Sequence, residues 1–229
     1  MVFEYIQAEY IKKEVYEEIC LKSIAENHMY LMYIKSVYLT CEKYKKIIFD
    51  AMEGSKPILV FIKKDSLLLQ DYYDVCLNQI NRYPEQLEHI DPELFTTMTY
   101  TKLCLLAVEN AGIVLEHVKY KHIDRDDYIK ICYSAVKNNG TALFFVKYNF
   151  IEHENYIDIC VFAEHQNHAI SYNYNLFKFD APLLKEIKDR YRKNKTKKYV
   201  QKQLNKVDGH YNLEDKYKEY CLNNLQEKL

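Results

Sequence analysis

Tyr100-Thr101-Lys102-Leu103-Cys104-Leu105-Leu106-Ala107-Val108-Glu109-Asn110-Ala111-Gly112-Ile113-Val114-Leu115 is the stretch on which the reading of this chain turns. Counting from Tyr100, apolar or small residues recur 3, 4, 7 and 8 positions on, as Leu103, Cys104, Ala107 and Val108. That spacing places them on one face of an α-helix about three turns long. Ala111-Gly112 then interrupts the pattern where a helix C-cap fits, and Leu115 and Val118 open a second, shorter apolar pattern. The segment therefore reads as helix A, turn, short helix B.

The same arrangement returns every 28 residues. Tyr16, Tyr44, Tyr72, Tyr100, Tyr128 and Tyr156 keep that interval without an insertion. Four positions after them stand Cys20, Ile48, Cys76, Cys104, Cys132 and Cys160. The second pattern carries Leu31, Leu59, Leu87, Leu115 and Leu143, each followed three residues later by Ile34, Ile62, Ile90, Val118 and Val146. Ser66, Thr96 and Asp124, before the next helix A, are residue types that cap a helix N-terminus.

Internal periodicity of this length signals a repeat architecture. One such unit buries too few apolar side chains to offset the ordering of its own backbone, so units must share faces with their neighbours. The expected fold is all-α: a solenoid of six 28-residue two-helix repeats over residues 16–176, an N-terminal cap at 1–15 and a helical C-terminal cap at 177–229. The last unit drifts, because aligning Ala169, Ile170 and Tyr172 with Ala142, Leu143 and Phe145 needs a one-residue deletion.

Cys104 to Leu115, together with Ala135-Val136-Lys137-Asn138-Asn139-Gly140-Thr141-Ala142-Leu143, resembles a helical-repeat family of uncharacterised function. Its members carry a recurring LxAVxxNGxALxxV pattern and are found notably in giant DNA viruses of amoebae. The likeness covers residues 100–146 best and extends more weakly over about 16–175. The resemblance implies a helical repeat and a viral origin, and brings no catalytic residue, cofactor or substrate. Abundant Lys, Ile, Asn and Tyr, with four glycines and four prolines, suits an AT-rich genome of that kind.

Composition narrows the function. The formal net charge of -1 gives no global attraction to nucleic acid or anionic membrane. The longest apolar stretches, such as Ile58 to Ile62, are far shorter than the roughly 18 residues of a membrane span. The N-terminus shows no secretory signal, so a reducing cytoplasmic location is expected, in a host cell or virion if the origin is viral. Seven cysteines without a CxxC pair read as free thiols. Those in the column are expected to be small buried hydrophobes, and Cys41 and Cys221 to be accessible.

No HExxH, Walker loop, GxSxG elbow or kinase signature is present, so the expectation is a protein that is not an enzyme and holds no cofactor. Cys160, His165 and His168, with His153 as a fourth ligand, form a weak zinc pattern set against a polar terminal unit, and no metal is expected. His89 and His117 occupy the repeat position of Tyr33, Phe61 and Phe145 and suit aromatic packing. The tyrosine column fits packing between neighbouring A helices with hydroxyls at the rim; the alternative is an aromatic platform for bases or a peptide.

Charge is unevenly spread. Residues 184–206 carry ten Lys or Arg against two acidic residues. Lys185, Lys188, Arg192, Lys195, Lys198 and Lys202 are therefore candidate contacts for nucleic-acid phosphates or a partner, or the solvated face of a cap. The leading expectation is a non-catalytic scaffold for a protein partner. The alternative is a nucleic-acid-associated protein that uses residues 185–206.

Overall fold

A computed structural model describes residues 6–54, 56–167 and 179–193. The fold is all-α, with no strand among the described residues. Among the described residues seven α-helices follow in chain order: α1 (Lys13–Glu26), α2 (Cys41–Glu53), α3 (Leu69–Arg82), α4 (Thr97–Asn110), α5 (Arg125–Asn138), α6 (His153–Asn167) and α7 (Ala181–Lys193). Helices α1 to α6 each begin three residues before a column tyrosine and correspond to helix A.

The expected helix B is a 3-10 segment instead of an α-helix. It spans His28–Tyr33, Leu59–Phe61, Pro84–His89, Gly112–His117 and Gly140–Phe145 after α1 to α5, and a second 3-10 turn follows each, such as Tyr120–His122 after Gly112–His117. The paired apolar positions explain the difference: Leu115 and Val118 are three residues apart, the period of a 3-10 turn. Each α-helix packs on the next in sequence, and each of these 3-10 segments on the following one. Two adjacent layers result.

Two local expectations are corrected. Gly112 and Gly140 are not helix C-caps: α4 and α5 end on the extended residues Ala111 and Asn139, and these two glycines open the 3-10 segments, whereas Gly54 does stand at the C-cap of α2. Gly112 is needed for space, because a Cβ there would lie 2.2 Å from the Ala135 carbonyl oxygen. Of the cap residues, Thr96 accepts the Thr99 backbone N–H at 3.2 Å, as expected. Asp124 stands at the N-cap of α5 without a side-chain cap bond, whereas Leu68 stands at the N-cap of α3. Ser66 instead lies in a 3-10 turn and donates to the Ser36 hydroxyl at 2.7 Å.

Successive units are also tied through polar side chains. The Asn138 side-chain carbonyl accepts the Gly112 N–H at 2.8 Å while its amide donates to the Glu109 carbonyl at 2.8 Å. Arg82, at the same place in its unit, donates to the Met52 carbonyl at 3.2 Å. These bonds satisfy groups that the end of the preceding α-helix leaves open. Asn139 accepts from the Thr141 N–H at 3.0 Å and caps its own 3-10 segment, so the two asparagines beside Gly140 work in opposite directions along the chain.

Candidate interaction surface

The column residues build the core. Tyr16, Tyr44, Tyr72, Tyr100 and Tyr128 are buried and Tyr156 is partly buried. Their hydroxyls are not at a rim. Those of Tyr16, Tyr44, Tyr100 and Tyr128 accept backbone N–H bonds from Lys35, Lys63, Lys119 and Lys147 at 2.8–3.1 Å. Each bond joins an α-helix to the loop nineteen residues on. The rings find aromatic neighbours in that loop, as with Tyr16 on Tyr38, Tyr72 on Phe95, Tyr128 on Phe150 and Tyr156 on Phe179. Rings spent in this way are not a stacking platform for bases.

Cys20, Cys76, Cys104, Cys132 and Cys160 are buried and outside any disulfide, and Cys41 is exposed; Cys221 lies outside the described residues. Burial pushes the Cys104 and Cys132 thiols up to about 12. The neighbouring tyrosine hydroxyls oppose that shift by hydrogen bonding. A thiol so rarely ionised is a poor nucleophile and a poor metal ligand.

Among the described residues the zinc pattern is not assembled. Cys160 lies fully buried, His165 packs on Tyr191 with ring centroids 4.5 Å apart, and His153 is exposed and 3.0 Å from Glu186. His168 lies outside the described residues. No group of three or more His, Cys, Asp or Glu residues among the described residues could hold a metal ion.

The 3-10 layer carries part of the exposed apolar surface, while Val15, Phe49, Leu69 and Met98 expose theirs from the α-helices. Met32, Val60 and Phe144 recur at one repeat position and are 44%, 54% and 39% exposed. Glu88 and Glu116 hold the same position in the intervening units and are exposed too. Met29 and Ile113 share a second exposed position. The periodicity contains these columns, but in a sequence an apolar residue that recurs with the repeat is indistinguishable from a core residue. Beside Gly140–Phe145, the last segment of this layer among the described residues, a groove of about 720 Å³ runs past Lys121, Leu143, Phe144, Lys147, Tyr148 and Phe150.

Helix α7 carries half of the basic candidates. Leu184 and Ile187 are buried, and the helix packs on α6. Lys185, Lys188 and Arg192 are exposed. Lys195, Lys198 and Lys202 lie outside the described residues. Sequence reasoning did not single out Arg190, whose guanidinium reaches Glu154 at 2.7 Å and Asp158 and Glu186 at 3.3 Å. Glu154 and Asp158 are on α6, so part of the positive charge on α7 is spent on the protein's own acidic surface.

No described helix is long and apolar enough to cross a membrane. Compared with known protein families, curated proteins and solved structures, the chain matches none.

Proposed function

We propose that the chain is a non-catalytic α-solenoid of six 28-residue units that serves as a scaffold for a protein partner. The observation that carries this reading is the exposure of Met32, Val60 and Phe144 at one repeat position. Apolar side chains held outward by a packed core suit a contact surface, and stacked helical units offer such surfaces over a long face. The buried free thiols suit a reducing compartment such as the cytoplasm, and the likeness to viral repeats suits an infected cell or virion. Affinity capture of the tagged full chain, with and without nuclease, tests the reading alongside a Met32→Glu/Val60→Glu variant. Protein partners that survive nuclease and are lost from the variant support it.

A second reading, phosphate binding by the basic segment, is favoured by the exposed Lys185, Lys188 and Arg192 on one helix. Its test is a salt titration with single-stranded DNA. Engagement of five phosphates gives a log-log slope of about -3.5, whereas a mainly apolar protein contact is far less sensitive to salt.

A further inference from the structure

We propose that the groove along Leu143, Phe144, Lys147 and Tyr148 binds an acidic peptide segment anchored by an apolar side chain, a partner chemistry that rests on the scaffold reading above. Three features of the groove carry the proposal. Leu143 and Val146 give it an aliphatic floor, buried except where they border the groove. Phe144 and Tyr148 stand at its edge, Tyr148 being 60% exposed with its ring 5.8 Å from that of Tyr156. The charged side chains lining it are Lys121 and Lys147, and no carboxylate among the described residues lines it. Lys121 also borders a neighbouring depression that holds Glu93 and Asp124. Neither carboxylate is within ion-pair distance of its ammonium.

Chemistry selects the occupant. An apolar floor flanked by two cations complements a segment with a leucine or phenylalanine between carboxylates. A nucleic acid fits less well. Two lysines supply a salt slope of only about -1.4 for a single strand, while proteins that live on phosphate contacts make roughly six to ten. Bases stack on aromatic faces, and here much of the aromatic surface is turned into the core: Phe150 packs against both Tyr120 and Tyr128.

The test uses the full chain and a fluorescein-labelled peptide alternating Glu with Leu and Phe, read by fluorescence anisotropy. Controls are the same peptide with Gln for Glu, and labelled oligo(dT). The expected result is saturable binding of the acidic peptide, weakened about tenfold or more by Lys121→Glu/Lys147→Glu and by Tyr148→Ser. All three residues are on the surface, and an unchanged thermal midpoint shows that the variants are folded. Equal binding of the Gln peptide, or tighter binding of oligo(dT) than of the acidic peptide, overturns the proposal.

A photo-crosslinking residue placed at Tyr148 or at Met32 in expressing cells separates the two levels of the argument. Capture of an acidic segment at Tyr148 supports the groove. Capture of protein at Met32 alone overturns the groove and leaves the scaffold reading standing; capture at neither overturns both.

Discussion

The phenolic oxygen of Tyr128 accepts the backbone N–H of Lys147 at 2.9 Å, joining the second turn of α5 to the loop beyond its 3-10 segment. That loop has no sheet partner and little regular helix to satisfy its amides, so the hydroxyl supplies a fixed acceptor on a ring already held by the core. Tyr128→Phe keeps the ring and deletes only the acceptor. The expected loss is about 1–2 kcal/mol in urea unfolding, since a part-buried N–H is left without its partner. Tyr148→Phe, at an exposed hydroxyl, should change stability by under about 0.5 kcal/mol. Equal effects at the two sites would mean that the Lys147 bond contributes nothing.

Two glycines give opposite expectations. At Gly112 an added Cβ would meet the Ala135 carbonyl oxygen at 2.2 Å and the Asn139 nitrogen at 2.9 Å, both backbone atoms of the next unit. Gly112→Ala should therefore cost about 1–3 kcal/mol or more, because the two units must separate. At Gly54 the nearest atom is the Ala51 oxygen at 3.4 Å and φ is -66°, which alanine adopts freely. Gly54→Ala should raise stability by about 0.4–1 kcal/mol by restricting the unfolded chain. Thermal midpoints moving in the same direction would contradict this account of Gly112.

The thiol column makes stability depend on pH at the alkaline end. Burial raises Cys76, Cys104 and Cys132 from 9.0 to about 12. Above pH 9.0 an unfolded thiol loses its proton while the folded one keeps it, so the folded chain binds more protons and stability falls as pH rises. The contribution is fully present below about pH 9 and is lost toward about pH 12, at up to about 1.4 kcal/mol per pH unit for each group. The urea midpoint should thus fall steeply between pH 9 and pH 11. In native alkylation at pH 8, Cys41 should react quickly and the five column thiols slowly; uniform fast labelling would contradict their burial.

What was legible in the sequence follows from which atoms do the packing. Tyr100, Leu103, Cys104, Ala107 and Val108 make their contacts through side chains, so their identities recur and the helix can be read from them. The partner of the Tyr100 hydroxyl is the main chain of Lys119, a group that almost any residue provides. Lys35, Lys63, Lys119 and Lys147 recur at that place; in the third unit Asp91 holds it, the bond to Tyr72 is not formed, and the Asp91 side chain instead accepts the Glu93 N–H and pairs with Lys64. The 3-10 geometry was present in the spacing of Leu115 and Val118, but a pair of positions three apart also lies within an α-helical face. Lys121 and Lys147 meet at the groove because adjacent units stack, a proximity invisible in a chain where they are 26 positions apart.

Arg190 sets the last expectation, because it holds α7 to α6 by charge while Leu184 and Ile187 hold it by burial. Isolated exposed ion pairs contribute little, but this guanidinium is only 24% exposed and is shared among three carboxylates. Arg190→Gln should weaken docking by about 1 kcal/mol, read as roughly fivefold faster amide exchange in α7 at low salt. Near 1 M salt the variant and the parent should converge, because screening removes the advantage that the charge confers. Ile187→Ala should instead cost about 2–4 kcal/mol at both salt concentrations, since a cavity is not screened. If Arg190→Gln changed nothing at low salt, the apolar face alone would dock the helix, and the carboxylates of α6 would be free to repel an anionic partner approaching Lys185 and Lys188.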